Sequence, residues 1–134
     1  MGVIFDTSVL IGGERGTLDL DSLLESLGSE TIAIAAITAS ELLHGSHRAR
    51  QASVRIRRLA FVDALLEVIP VAAFGLPEAR RHAEIWAELT RTGKMIGAHD
   101  LLIAATAVAR GDAVATLNQK DFKRVPGLNL VPME

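Results

Sequence analysis

Four stretches of the chain place acids where metal-assisted chemistry can be built. They are Asp6 in Phe5-Asp6-Thr7-Ser8, Glu41 in Thr38-Ala39-Ser40-Glu41, Asp100 in His99-Asp100-Leu101-Leu102, and Asp121 in Asn118-Gln119-Lys120-Asp121. Each has a plainer reading. Asp6 is a favoured N-cap type for a following helix. Thr38 and Glu41 have the spacing of a capping box, with the glutamate reaching back to the first backbone N–H. Asp121, or Asn118 beside it, fits a polar turn. Asp100 is harder to explain this way, because it opens the most apolar helical pattern in the chain. A partly desolvated carboxylate there needs a cation or hydrogen-bond donors to stay ionised.

What the plain readings leave unexplained is placement: Asp6, Glu41 and the Asn118–Asp121 stretch come just after predicted strands and Asp100 opens a helix, so four separate segments put acids at one edge of one sheet. Acids gathered at one sheet edge repel one another unless a hard divalent cation sits among them. Carboxylate oxygens without thiols or a histidine set select Mg²⁺ or Mn²⁺ over zinc. The chemistry suited to that arrangement is phosphodiester hydrolysis, in which a metal acidifies water and neutralises phosphoryl charge. No nucleophilic side chain is required. Thr7 and Ser8 supply hydroxyls that can orient Asp6 or a bound water.

The elements that must position these acids read as an alternating α/β chain. Short apolar runs at Val3-Ile4-Phe5 and at residues 31–35, 68–71, 113–116 and 128–131 lack period-two alternation. That suits strands covered on both faces of a parallel sheet. Helical patterns occupy residues 18–27, 38–50, 53–67, 77–92 and 98–110, with Gly93 and Gly111 as stops for the last two. Ala79, Ala83, Trp86 and Leu89 are the expected apolar face of the fourth pattern. Strand and helix alternating in this way imply an α/β sandwich with right-handed crossovers. Ligands in such sheets bind beyond the strands' carboxyl ends, where the strand order reverses.

The chain has 134 residues, enough for one domain over 1–134 with a real core. Its 49% apolar and 22% charged content is globular. No cysteine is present, which excludes disulfides, zinc–thiolate sites and thiol nucleophiles. The N-terminus lacks a basic region before its apolar stretch, and no run is long enough to span a bilayer, so the chain reads as soluble and cytoplasmic.

A net charge of −2 hides a basic run containing Arg48, Arg50, Arg55, Arg57 and Arg58. It is either a solvated helix face or a local nucleic-acid surface. His44 and His47 share a helix face, and with Glu41 the first forms a lone Glu-x-x-His whose bundle partner is missing. Lys94 precedes Asp100 closely enough to reach a phosphate, or is a plain loop lysine. There is no P-loop, dinucleotide fingerprint or nucleophile elbow. A dehalogenase-type phosphatase would need an acid where Ser8 stands, and a receiver domain would need an aspartate ending the third strand.

The whole chain resembles the PIN-domain ribonucleases, specifically the VapC toxins of VapBC toxin–antitoxin modules. The resemblance rests on residues 4–11 (IFDTSVLI), 37–45 (ITASELLHG), 97–105 (GAHDLLIAA) and 115–126 (ATLNQKDFKRVP), in the family's order and spacing. It implies a PIN-like three-layer α/β/α sandwich with a five-stranded parallel sheet, and a Mg²⁺- or Mn²⁺-dependent endoribonuclease acting on tRNA or rRNA. It assigns metal ligation to Asp6 and Asp100 with Glu41 completing the pocket, and a hydrogen-bonding role to Ser8. Where many members carry an aspartate two residues after the threonine, this chain has Asn118, so the fourth group is either Asn118 or Asp121. The family context implies a homodimer silenced by a VapB-type antitoxin, and makes the run from Arg48 to Arg58 an RNA or antitoxin surface, so that Arg48 and Arg50 join Lys94 as candidates for RNA contact. The alternatives are a catalytically silent PIN-like module that binds RNA or protein, and a Mg²⁺ nuclease acting on DNA.

Overall fold

The computed structural model describes residues 2–133. In chain order the elements are β1 (Gly2–Phe5), α1 (Thr7–Arg15), α2 (Leu20–Leu27), β2 (Thr31–Ala35), α3 (Ala36–His47) and α4 (Ala52–Val68). They continue with β3 (Val71–Ala72), α5 (Leu76–Thr92), α6 (Ala98–Arg110), β4 (Ala113–Ala115) and α7 (Gln119–Phe122). The strands are all parallel and lie in the order β3-β2-β1-β4. The chain therefore builds outward from β1 in one direction, then returns to place β4 on its other side. That reversal puts the crevice beside the carboxyl end of β1.

The unalternating apolar strands are explained by two cores, one on each face. Ile4, Ala33, Ala35 and Val114 point to a cluster with Ile85 and Leu89 of α5, Leu101, Ile103 and Ala104 of α6, and Phe122. Val3, Phe5, Ile34 and Ala115 point the other way, to Val9, Leu10, Leu23, Leu42 and Val62. Neighbouring residues on a strand face opposite sides, so a strand covered twice must be apolar throughout. The result is the three-layer sandwich.

Several expected boundaries move. The fifth strand, expected over 128–131, is reduced to a single parallel bridge between Val114 and Leu130. Val114 N–H donates to the Asn129 carbonyl at 2.9 Å, and Val131 N–H donates to the Val114 carbonyl at 2.9 Å. Pro126 and Gly127 just before it, with Gly127 at φ 77°, bring the chain in by a turn that leaves only this brief alignment. The third strand is Val71–Ala72, because α4 runs on through Val68. On α5 the buried residues are Ile85 and Leu89, while Trp86 is 53% exposed and Ala83 is also exposed. Leu89 is buried as expected, but Ile85 takes the core place expected of Trp86, packing in the cluster with α6, while the Trp86 ring lies at the surface and meets His82 edge-on. α1 and α7 were outside the predicted helices. Gly93 and Gly111 end α5 and α6 as expected, at φ 69° and 72°, a left-handed conformation that glycine adopts without penalty. Among the described residues no helix is long and apolar enough to cross a membrane.

Candidate active site

Asp6 follows β1 directly and is 4% exposed. It caps α1, with Oδ1 accepting the Val9 N–H at 3.3 Å, so the helix-cap reading is correct as far as it goes. Its carboxylate does more than cap. Oδ1 also accepts the Ser8 hydroxyl at 2.5 Å, and Oδ2 accepts the Thr116 hydroxyl at 2.5 Å from the end of β4. Both hydroxyls are themselves fixed. The Leu117 N–H donates to Ser8 Oγ at 3.0 Å and the Asn118 N–H donates to Thr116 Oγ1 at 2.9 Å. Burial pushes the Asp6 carboxyl above the usual aspartate range, and these donors from Ser8, Thr116 and Val9 pull it partly back.

Glu41 reaches the same edge by a different route from the expected capping box. α3 begins at Ala36, so Thr38 lies inside the first turn and the N-cap, Ala35, has no side-chain cap. Thr38 Oγ1 is buried and has no hydrogen-bond partner among the described residues. Freed from the backbone, the Glu41 carboxylate accepts the Thr7 hydroxyl at 2.7 Å on Oε1, and its Oε2 lies 3.1 Å from His99 Nδ1. The capping-box reading fails because strand β2 passes straight into the helix, whose N-cap is Ala35, three residues earlier than the cap sequence suggests.

Asp100 sits in the first turn of α6, where a carboxylate complements the helix N-terminus. Its carboxyl is nevertheless raised. Burial is the largest cause, followed by the negative charges of Asp6 and Glu41; the Asn118 amide lowers it and Asp121 raises it again. The acids therefore lie within one another's field. Asn118 and Asp121 are not alternatives: the Asn118 side-chain amide is 3.3 Å from Asp100 Oδ2 and 3.1 Å from Asp121 Oδ2, placing a donor between two carboxylates.

The structure thus brings together Asp6, Ser8, Glu41, Asp100, Asn118 and Asp121. Thr7, His99 and Thr116 join them, and sequence reasoning gave none of these three its observed partner. The available signal was position alone, since each adjoins a candidate acid or ends a strand. Among the described residues no group of three acidic or imidazole side chains stands pre-assembled as an ion cage. Asp6 is held by hydroxyls and Glu41 is drawn to Thr7 and His99, so the carboxylates share a field without sharing a centre. Beside them runs a cleft of about 470 Å³ lined by Thr7, Glu41, His99 and Arg48. Arg50 and Lys94 are exposed and do not line it.

A PIN-domain family model matches residues 3–128. The chain belongs to the PIN-domain family. Within it, the chain falls among the VapC ribonucleases. It is 38% identical over 131 residues to Ribonuclease VapC1 of Rickettsia felis, covering 98% of this chain and 96% of that one. It is 31% identical over 105 residues to the tRNA(fMet)-specific endonuclease VapC of Salmonella typhimurium, covering 78% and 77%. Among solved structures, the PIN-domain chain superposes on DNA-bound VapBC from Salmonella typhimurium with a TM-score of 0.88, at 27% identity over 98% of this chain and 97% of that one.

Thr116→Val tests whether the hydroxyl matters to this PIN-domain site beyond packing. It keeps the side-chain shape but removes both the donor to Asp6 Oδ2 and the acceptor of the Asn118 N–H, so the Asp6 carboxyl is expected to rise further and the Asn118 turn to loosen. Loss of such a supporting hydrogen bond lowers activity by about 10- to 100-fold in metal sites. The rising limb of the activity–pH profile should also move to higher pH. A profile that does not move would make Thr116 a packing residue.

Proposed function

We propose that this chain is a divalent-metal-dependent endoribonuclease, the toxin of a toxin–antitoxin pair, which hydrolyses RNA with water as the nucleophile. The observation that carries this reading is Asp100, whose carboxyl is raised by burial and by Asp6, Glu41 and Asp121 around it. A carboxylate under that pressure is what a divalent cation relieves. The donors are all oxygen, which fits Mg²⁺ or Mn²⁺. Asp6, Asp100 and Glu41 would hold the ion. When bound, it supplies positive charge to the transferring phosphoryl group and lowers the pKa of the attacking water.

The chain's own residues keep the acids available for this work. Asp6 Oδ1 accepts two donors and Oδ2 one, so Oδ2 retains a lone pair. Ser8 and Thr116 fix its plane. Asn118 orients Asp100 and Asp121 through one amide, without adding charge. Thr7 and His99 restrain Glu41 until it is needed.

The name of the Salmonella relative supports tRNA as a substrate class, with rRNA the other candidate. The VapBC complexes among the structural neighbours support a VapB-type antitoxin as partner. Two exposed rings joined through a half-buried one support a homodimer: Phe74 and His82 have centroids 5.8 Å apart, and His82 and Trp86 are 5.6 Å apart. The test is to incubate the purified chain with total RNA and Mg²⁺, beside a sample containing EDTA. Defined cuts that vanish with EDTA are expected. RNA that stays intact in both samples would leave the chain a binding module.

A further inference from the structure

We infer that Thr38 positions Glu41 for metal binding, its buried hydroxyl donating to the Glu41 carboxylate once that side chain has left Thr7 and His99; the inference rests on the metal-dependent reading above. The observed station of Glu41 is an outer one. Oε1 accepts the Thr7 hydroxyl and Oε2 lies against His99 Nδ1, so each carboxylate oxygen is engaged. The Glu41 side chain is 29% exposed there and that of His99 is 56% exposed, which puts this station at the rim of the site. Asp6, deeper in, is held by Ser8, Val9 and Thr116, so the two carboxylates answer to separate sets of donors. To share a cation with Asp6 and Asp100, Glu41 has to give up at least one of its partners. A carboxylate that moves inward is stable only where the fold supplies a replacement donor.

Thr38 is that donor. It is fully buried, and its Oγ1 has no hydrogen-bond partner among the described residues. Ser46 and Thr106, the other buried hydroxyls on described helices, each donate to the carbonyl four residues back. Four residues before Thr38 the chain is still in β2, and no such bond is made. A buried hydroxyl left without a partner is a cost that the inward position of Glu41 would remove.

The helix geometry joins the two. Glu41 lies three residues after Thr38, at the spacing where helix side chains meet. Side chains lean toward the N-terminus of their helix, so the reach of Glu41 is back over Thr38. That direction also leads to the neighbouring acid. β1 and β2 run in register with Phe5 beside Ile34, so Asp6 stands level with Ala35, the N-cap of α3. A Glu41 carboxylate turning back over Thr38 therefore moves toward the sheet edge that carries Asp6. The Thr-x-x-Glu pair that spells a capping box is kept together by the fold and put to another use.

The test is Mn²⁺ affinity, read from the electron paramagnetic resonance signal of the free ion, with melting temperatures of the metal-free proteins measured beside it. Thr38→Val keeps the side-chain shape and removes the hydroxyl. It should weaken Mn²⁺ binding by about 10- to 100-fold, the range for losing a group that orients a metal ligand. The metal-free melting temperature should hold or rise, because the lost hydroxyl had no partner to lose. Thr38→Ser should restore the affinity. On a Glu41→Ala background, Thr38→Val should change affinity by less than about twofold, since no carboxylate is left to position. Thr7→Val loosens the outer station and should tighten binding roughly 5-fold, the equivalent of one hydrogen bond.

Unchanged Mn²⁺ affinity in Thr38→Val overturns the inference and leaves Thr38 a core hydroxyl. An equal loss on the Glu41→Ala background also overturns it, because Thr38 would then act without Glu41. Weaker binding in Thr7→Val does the same, since Glu41 would then hold the ion from where it stands. In each of these cases the parent still binds Mn²⁺ and the metal-dependent reading stands. A parent that binds no Mn²⁺ overturns that reading itself. Thr38→Ala beside Thr38→Ser carries the same comparison if the valine variant is unstable.

Discussion

Asp6→Asn is expected to lower RNA cleavage by roughly a thousandfold, the rate equivalent of the several kcal/mol of charge stabilisation a metal site supplies. The reason the effect should be read as chemistry is that the fold tolerates the change. The asparagine oxygen can still accept from Ser8 and the Val9 N–H, which are the partners of Asp6 Oδ1. On the other side its amide can donate to Thr116 Oγ1, because a hydroxyl accepts twice. The Thr116 proton then loses its acceptor, at a cost of about 1 kcal/mol. Against that, the burial that raises the Asp6 carboxyl no longer has a charge to penalise. These terms are of similar size and opposite sign, so the melting temperature should move little. Asp6→Ala is different, since it strands two hydroxyls and an amide at a site that is 4% exposed. Cleavage time courses at matched stability check the prediction. An Asp6→Asn protein that keeps a tenth of the parent activity would show that Asp6 is an N-cap and nothing more.

Asp100→Asn should trade function for stability. In the metal-free chain Asp100 stands among Asp6, Glu41 and Asp121, and its ionised form is disfavoured by burial and by all three. Neutralising it relieves that repulsion. A gain of about 1 kcal/mol, toward the low end for active-site substitutions because a half-buried acid is screened by water, is expected. In a chain of this size that is roughly 4 °C of melting temperature.

The pH dependence follows from the direction of the shift. A raised carboxyl binds its proton more tightly in the folded than in the unfolded state. Its contribution to stability is therefore greatest at low pH, and it is lost as pH rises from the usual aspartate value through the raised one. Asp100→Asn should remove that part of the slope.

Magnesium should act in the opposite sense. At a hundredfold excess over its dissociation constant it stabilises the parent by about 2.7 kcal/mol, or roughly 10 °C. The gain should be absent in Asp100→Asn. Thermal melts of both proteins, with and without Mg²⁺, decide the matter. Equal metal-induced gains would mean that Asp100 does not hold the ion.

The acids were legible in the sequence because their positions follow from local rules. Asp6 directly follows an apolar run that reads as a strand, and Asp100 opens a helix whose apolar circumference announces its burial. Both inferences need only the sequence neighbours and the fact that parallel sheets present their chemistry at strand ends. The fates of Asn118 and Asp121 were not legible, because the choice between them assumed one place to fill. Asn118 is neutral and can stand between two carboxylates, which no spacing rule reveals. Glu41 was read through the wrong local rule. Its neighbours spell a capping box, but packing of β2 directly into α3 moved the helix start and released the side chain to Thr7 and His99.

By itself, then, the sequence determined that acids on four segments would meet at one edge of a parallel sheet, because strand runs and helix starts are written in near neighbours. Only the tertiary structure decided what each carboxylate touches. Thr116 bonds to Asp6, and His99 to Glu41, across separations of 110 and 58 residues. Such contacts depend on the order in which strands lie side by side and on how far each helix turns before its side chains clear the sheet. Those quantities are set by the packing of both cores at once, and no local stretch of the chain contains them.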